Sequence, residues 1–379
     1  MRTIALALLT ILTCHAPRVL GQDPGKGADD PQVVAELRKL GVTLVQDHEQ
    51  PLRPVVHVTI SAKDVIEIDE AMARLVKLPH LRELTLSGVA LTSSDRKHLG
   101  FLKIRTLNLL STEVSKADLE AFDALKELRS LDLRGSVLAR LEDPLRLKTP
   151  WTGNLQELKL EDRSAISHQF SLEKMDRLER LEIHFTNDDY NHHRRRSFEI
   201  ARLPQLKHLV LTFAFANKGA WLGLDRLKNL ESLALIDNGA RPLGGQDLER
   251  LKGLAKLKRL ALLLSARTEY QDDTLTKLWD LSEIEDLTLG LPGKSWDIDG
   301  VLKMSKLRKL TLIHDSDRRV GLRENTFAKF PKMLPALREL RFIGGRVDVE
   351  TLDKLRVAMP TLRIVGTVAR VQDEIEFGK

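Results

Sequence analysis

The sequence predicts an α/β repeat solenoid, with a parallel sheet lining one side and helices returning along the other. Three observations predict it. The pattern L-x-x-L-x-L recurs eleven times at fixed phase between Leu81 and Phe342. Its last two apolar residues are two apart, so they share one side of an extended strand. The residues that follow each copy place their apolar side chains at helical spacing.

The elements follow in chain order. Residues 1–21 carry Arg2 and then an apolar run from Ile4 to Leu12, which reads as a signal peptide cleaved after Gly21. A run this short does not span a bilayer. The one cysteine of the chain, Cys14, lies inside this leader. Ile11-Leu12-Thr13-Cys14 resembles a bacterial lipobox, but Thr13 stands where a small residue is wanted. A lone cysteine excludes an intramolecular disulfide framework and any C-x-x-C zinc or redox site. Residues 22–30 read as a flexible linker. Residues 31–60 read as an N-terminal cap over the open edge of the first repeat: an amphipathic helix with Val33, Val34, Leu37 and Leu40, then an extended Val42–Val45.

The repeats occupy 55–370. Their first positions, including degenerate copies at Val55 and Leu362, are separated by 23 to 30 residues. In Leu81-Arg82-Glu83-Leu84-Thr85-Leu86 the intervening residues are polar, so each strand has one buried and one wet face. A single repeat cannot bury its leucines alone, and neighbours must stack. Helical stretches are expected at Lys116–Leu125, Asp247–Leu254, Asp273–Leu281 and Glu350–Leu355, with acidic residues near their starts. Residues 362–379 close the far end as a C-terminal cap.

These residues resemble the leucine-rich repeat family over roughly 50–370. The segment Leu110-Ser-Thr112-Glu-Val114-Ser115-Lys-Ala-Asp118-Leu119 is similar to the L-x-x-T-x-V-T-D-x-x-L unit of secreted bacterial members. The repeat length and the helices resemble the ribonuclease-inhibitor-like subclass. The resemblance implies a horseshoe with a concave parallel sheet and convex helices, and a role in protein binding. The family's usual Asn after the strand is mostly replaced, by Thr112 and Ser136 among others.

Composition narrows the function. The chain is 42% hydrophobic and 30% charged over 379 residues, which suits a globular protein and excludes wholesale disorder. The net charge of +6 falls to +4 without the leader's Arg2 and Arg18, which is too mild to point to nucleic acid. No HExxH, GxSxG, P-loop or GxGxxG motif is present. Asp297-Ile-Asp299-Gly300 falls short of a calcium loop because Lys306 stands at the twelfth position. It is read as a helix cap. The run Asp188–Arg196 is read as a solvated insertion. No catalytic residue, cofactor or metal is expected.

The residues between the last two leucines form a row on the wet face whose middle is apolar. Val210, Ala234 and Ala261, joined by Ile236 and Leu263 and flanked by Lys258 and Arg259, form the candidate protein-binding patch. The expectation is a monomeric, non-catalytic protein-binding module, secreted or in the cell envelope, without a membrane span after leader removal. The alternative is a structural envelope component, lipid-anchored through Cys14.

Overall fold

In the computed structural model of the chain, every complete L-x-x-L-x-L copy contributes a strand. The structure describes residues 28–138, 150–162, 172, 175–185, 200–213, 223–237, 248–263, 274–290, 299–313, 324–343, 349–369 and 374–376. The leader, Cys14, the Asp188–Arg196 run and Asp297 lie outside them. The chain divides into two units, residues 15–184 and residues 185–379.

The first unit opens with α1 (Pro31–Lys39) and β1 (Thr43–Gln46), followed by β2 (Val55–Ser61), α2 (Ile68–Leu75), β3 (Glu83–Ser87), α3 (Ser93–Gly100) and β4 (Thr106–Leu110). It continues with β5 (Glu113–Val114), α4 (Lys116–Ala121), β6 (Ser130–Leu133), β7 (Val137–Leu138), β8 (Glu157–Asp162) and β9 (Arg180–Phe185). The sheet runs β1-β2-β3-β4-β6-β8-β9, while β5 and β7 form a separate parallel pair. From β2 to β8 neighbours are parallel and in register, so that Leu84, Leu107, Leu131 and Leu158 align. β1 is antiparallel to β2.

The reasons are local. Asp30 caps α1 by accepting from the Gln32 amide at 2.8 Å, and Pro31 occupies the first turn, where its missing N–H costs nothing. Asp29 accepts from the Val55 amide, and Glu36 pairs with Arg74 of α2 at 2.9 Å, so two contacts fasten the first helix to the repeats. α3 and α4 each begin with a capping box, Thr92 with Asp95 and Ser115 with Asp118. Arg96 then reaches from α3 to Asp118 of the next repeat at 2.8 Å. Thr112 and Ser136 take over the missing asparagine's work: both are buried, and their hydroxyls donate to the carbonyls of Leu110 and Leu109.

The second unit contains β10 (His208–Phe213), β11 (Ser232–Asp237), β12 (Arg259–Leu263), α5 (Thr274–Leu278), β13 (Asp286–Gly290) and β14 (Lys309–Ile313). It ends with α6 (Glu324–Phe327), α7 (Phe330–Met333), β15 (Glu339–Ile343), α8 (Val349–Ala358), β16 (Arg363–Ala369) and β17 (Glu374–Glu376). Strands β10 to β16 are parallel and in register, and β17 is antiparallel to β16. The core of each unit is a stack of leucines, such as Leu233, Leu260, Leu287, Leu310 and Leu340, each no more than 2% exposed.

Two of the expected helices end in 3-10 form. Leu248, Leu251 and Leu254 frame a 3-10 turn at Arg250–Gly253, and the Lys116–Leu125 helix tightens to 3-10 at Phe122–Ala124. The stretches at 273–281 and 350–355 do contain α5 and α8.

Candidate functional site: the open face of the sheet

Along each strand the leucines point toward the core and the residues between them point to the opposite, open face. Registered strands about 4.8 Å apart turn those residues into rows.

In the first unit the middle row is entirely polar: Thr59, Thr85, Asn108, Asp132 and Lys159 stand side by side, and Glu182 follows on β9. Asn108 donates to Thr85 Oγ1 at 3.0 Å and to Glu83 at 3.1 Å. His57 Nε2 lies 3.1 Å from Thr85 Oγ1. The row ends in a charge cluster. Arg134 donates through Nε and Nη2 to Asp132 and through Nη1 to Glu182 at 3.0 Å, so its guanidinium reaches past β8 to β9. His184 Nε2 sits 2.7 Å from the same Glu182 oxygen. Asp132 and Glu182 are 5% and 4% exposed. Burial pushes the Glu182 carboxyl up, but the His184 hydrogen bond and the Arg134 charge outweigh it and hold the group below its usual range. This cluster was not foreseen as a unit. Its signal was the alternation of Asp132, Lys159 and Glu182 at one position of successive repeats.

In the second unit the open face has three rows. The first alternates in charge across β12 to β16: Arg259, Asp286, Lys309, Glu339, Arg363. The second is Val210, Ala234, Ala261, Thr288, Thr311, Arg341. The third is Thr212, Ile236, Leu263, Gly290, Ile313, Ile343. The structure therefore brings the sequence-predicted patch together: Val210, Ala234 and Ala261 are registered neighbours, as are Ile236 and Leu263.

The expected exposure of that patch is corrected. Ala234, Ala261 and Ile236 are 2–3% exposed and Leu263 is 8%. Ile236, Leu263 and Ile313 form one apolar cluster, with Val210 and Ile343 packed against it. Apolar side chains this close on one face cover one another. Gly290 helps, because a Cβ there would come within 2.9 Å of Leu263 Cδ2. Of the predicted patch, Val210 and Arg259 are half-buried, and Lys258 stays exposed at the start of β12, paired with Glu285 at 2.8 Å.

The other singled-out motif has a structural role: Asp299 accepts from the Thr326 hydroxyl of α6. Among the described residues no group of three or more His, Cys, Asp or Glu is placed to hold a metal ion. None of the helices they form is long and apolar enough to cross a membrane.

No family model and no curated protein matches the chain. Similar solved structures exist. One is an internalin, InlF, of Listeria monocytogenes, with TM-score 0.46 and 16% identity, covering 90% of this chain and 89% of that one. Another is a leucine-rich repeat protein of Leptospira interrogans, with TM-score 0.36 and 16% identity over 82% of this chain and 89% of that one. A third is human 5T4, the trophoblast glycoprotein or Wnt-activated inhibitory factor 1, with TM-score 0.44 and 23% identity over 60% of this chain and 84% of that one. The chain's own strands carry the fold assignment. L-x-x-L-x-L strands in an open parallel sheet, with helices and 3-10 turns between them, make a leucine-rich repeat architecture.

Proposed function

We propose that the chain is a non-catalytic protein-binding leucine-rich repeat module that recognises its partner on the open sheet face. The observation that carries this reading is the registration of that face: successive strands hold polar, charged and apolar side chains in fixed rows on a backbone stiffened by ladder hydrogen bonds. A preformed surface loses little conformational freedom on binding. On this reading the ribonuclease-inhibitor-like, secreted bacterial type of repeat is the nearest class, the leader directs the protein to the cell exterior or envelope, and the protein acts as a monomer.

The burial of Ala234, Ile236, Ala261 and Leu263 makes them the floor of the recognition surface, with Val210, Lys258 and Arg259 at its accessible margin. The test is photo-crosslinking from native envelope extract. A crosslinking residue replaces Arg259 or Glu83 on the open face, or Lys354 on α8, whose side chain is 60% exposed. One protein captured from the open-face positions and not from position 354 supports the reading. Equal capture from all three sinks it. No capture, with the chain fractionating with membranes, would favour the scaffolding alternative anchored at Cys14.

A further inference from the structure

Among the described residues, the open face between β14 and β16 carries more positive charge than it neutralises. Lys309 Nζ lies 3.5 Å from Glu339 Oε1, and Arg341 Nη2 lies 3.1 Å from the same oxygen. Arg363 is registered against Glu339 from the other side. Lys309 and Arg341 thus share one carboxylate oxygen, and Arg363 adds a third cation on the neighbouring strand. Extending the view to β12 and β13 adds Arg259 and Asp286, one charge of each sign, and leaves the excess unchanged.

Three polar atoms at the same place are without a hydrogen-bond partner among the described residues, one of them Glu339 Oε1. Arg341 Nε is buried without an acceptor, and so is the hydroxyl of Thr311, a residue only 1% exposed. Thr311 and Arg341 are registered neighbours on β14 and β15, so their side chains share the open face about 4.8 Å apart. A buried hydrogen-bonding group without a partner is costly, and native structures rarely keep one without a use. A guanidinium offers two edges to a carboxylate. Glu339 Oε1 lies 3.1 Å from Nη2 as an ion pair without a hydrogen bond, and the Nε edge is unused, the edge that can grip a second carboxylate with two parallel hydrogen bonds.

We propose that Arg341, Thr311 and Lys309 form a carboxylate-recognition subsite, which receives an acidic side chain of the protein partner. The inference rests on the protein-binding reading above. In the bound state the incoming carboxylate accepts from Arg341 Nε and from the Thr311 hydroxyl, while the Lys309 ammonium faces it. The acid also relieves the competition of two cations for a single Glu339 oxygen. Such charge complementarity selects a partner that presents an acid at this point and rejects one that presents a base.

The test uses the full chain, labelled with 15N, and follows the Arg341 Nε–H signal, assigned by its disappearance in Arg341→Lys. The probes are N-acetylglutamate amide, which carries one side-chain carboxylate, and its neutral analogue N-acetylglutamine amide. The expected result is a saturable shift with the acid alone, while the Nε–H of Arg356, half-exposed on α8, follows only ionic strength. Thr311→Val keeps the shape and removes the unpartnered hydroxyl. It should weaken the acid by roughly threefold to tenfold and leave the melting temperature unchanged or raised. Arg341→Lys should weaken it at least as much, because the point charge lacks the fork.

An unmoved Arg341 signal, or an equal shift with the neutral analogue, overturns the subsite. A Thr311→Val protein that binds the acid as well as the parent does the same for the hydroxyl's part. Open-face crosslinking with no carboxylate response removes the subsite and leaves the binding reading standing. A carboxylate response with no crosslinked protein keeps the subsite and removes the protein partner.

Discussion

Two glycines and an alanine show how far single residues govern this fold. At Gly300 an added Cβ would lie 1.9 Å from Cδ1 of Trp279, a ring only 5% exposed. Gly300→Ala should destabilise the protein by about 3 kcal/mol. At Gly290 the nearest atom is the terminal Cδ2 of Leu263, at 2.9 Å, so Gly290→Ala should cost less, about 1 kcal/mol. Urea unfolding of the two variants would check the order, and an inversion would mean that the Trp279 ring has room to shift. Ala261 is 2% exposed, so Ala261→Asp buries a carboxylate and should cost about 3 kcal/mol. Loss of partner binding by that variant would therefore report unfolding unless its melting curve were unchanged. The neighbours Ala234, Ala261, Ile236 and Leu263 were legible from phase alone. Their burial was not, because it depends on the height of side chains in adjacent rows, which the strand pattern does not contain.

At the scale of elements, the repeats are joined by polar bridges as well as by leucines. Asp118 accepts from the Ser115 amide and hydroxyl and from Arg96 of the preceding helix, so one carboxylate caps α4 and ties it to α3. The equivalent bridge on the open face is Arg134 between Asp132 and Glu182. The Glu182 carboxyl is held below its ordinary value of 4.5, so the folded state favours its ionised form. That stabilisation is complete above the unfolded value and is lost as pH falls through the folded one. Glu182→Gln should cost about 2 kcal/mol at pH 7, with the difference from the parent shrinking as pH falls below about 4.5. Chemical denaturation at pH 7 and at pH 3.5 would show it, and a gap that stays constant between them would contradict the assignment. The sequence pattern placed an acidic residue, Asp118, at the start of its helix, where it completes the capping box with Ser115. It missed the Arg134 bridge because Glu182 lies 48 residues away, beyond any local pattern.

At the scale of the whole molecule, the first strand of one unit and the last strand of the other are edges open to further pairing. In the first unit β1 runs antiparallel to β2, and in the second β17 runs antiparallel to β16. β1 is short, its register shifts between Val45 and Gln46, and Pro51 and Pro54 follow it. Short length, an irregular register and nearby prolines all make an edge a poor template for another chain. β2 has none of these protections: it is seven residues long, and Val55, Val58 and Ile60 are fully buried. A chain starting at residue 50 would lose β1, the buried Val33, Leu37 and Val42 and the Asp29 carboxylate that accepts from Val55. It should associate through the bared β2 edge, giving a mass that rises with concentration in light scattering, while the parent stays at one mass. A truncated chain of constant mass and unchanged melting temperature would show that the first helix and strand are an appendage, and that the repeats end their own sheet without them.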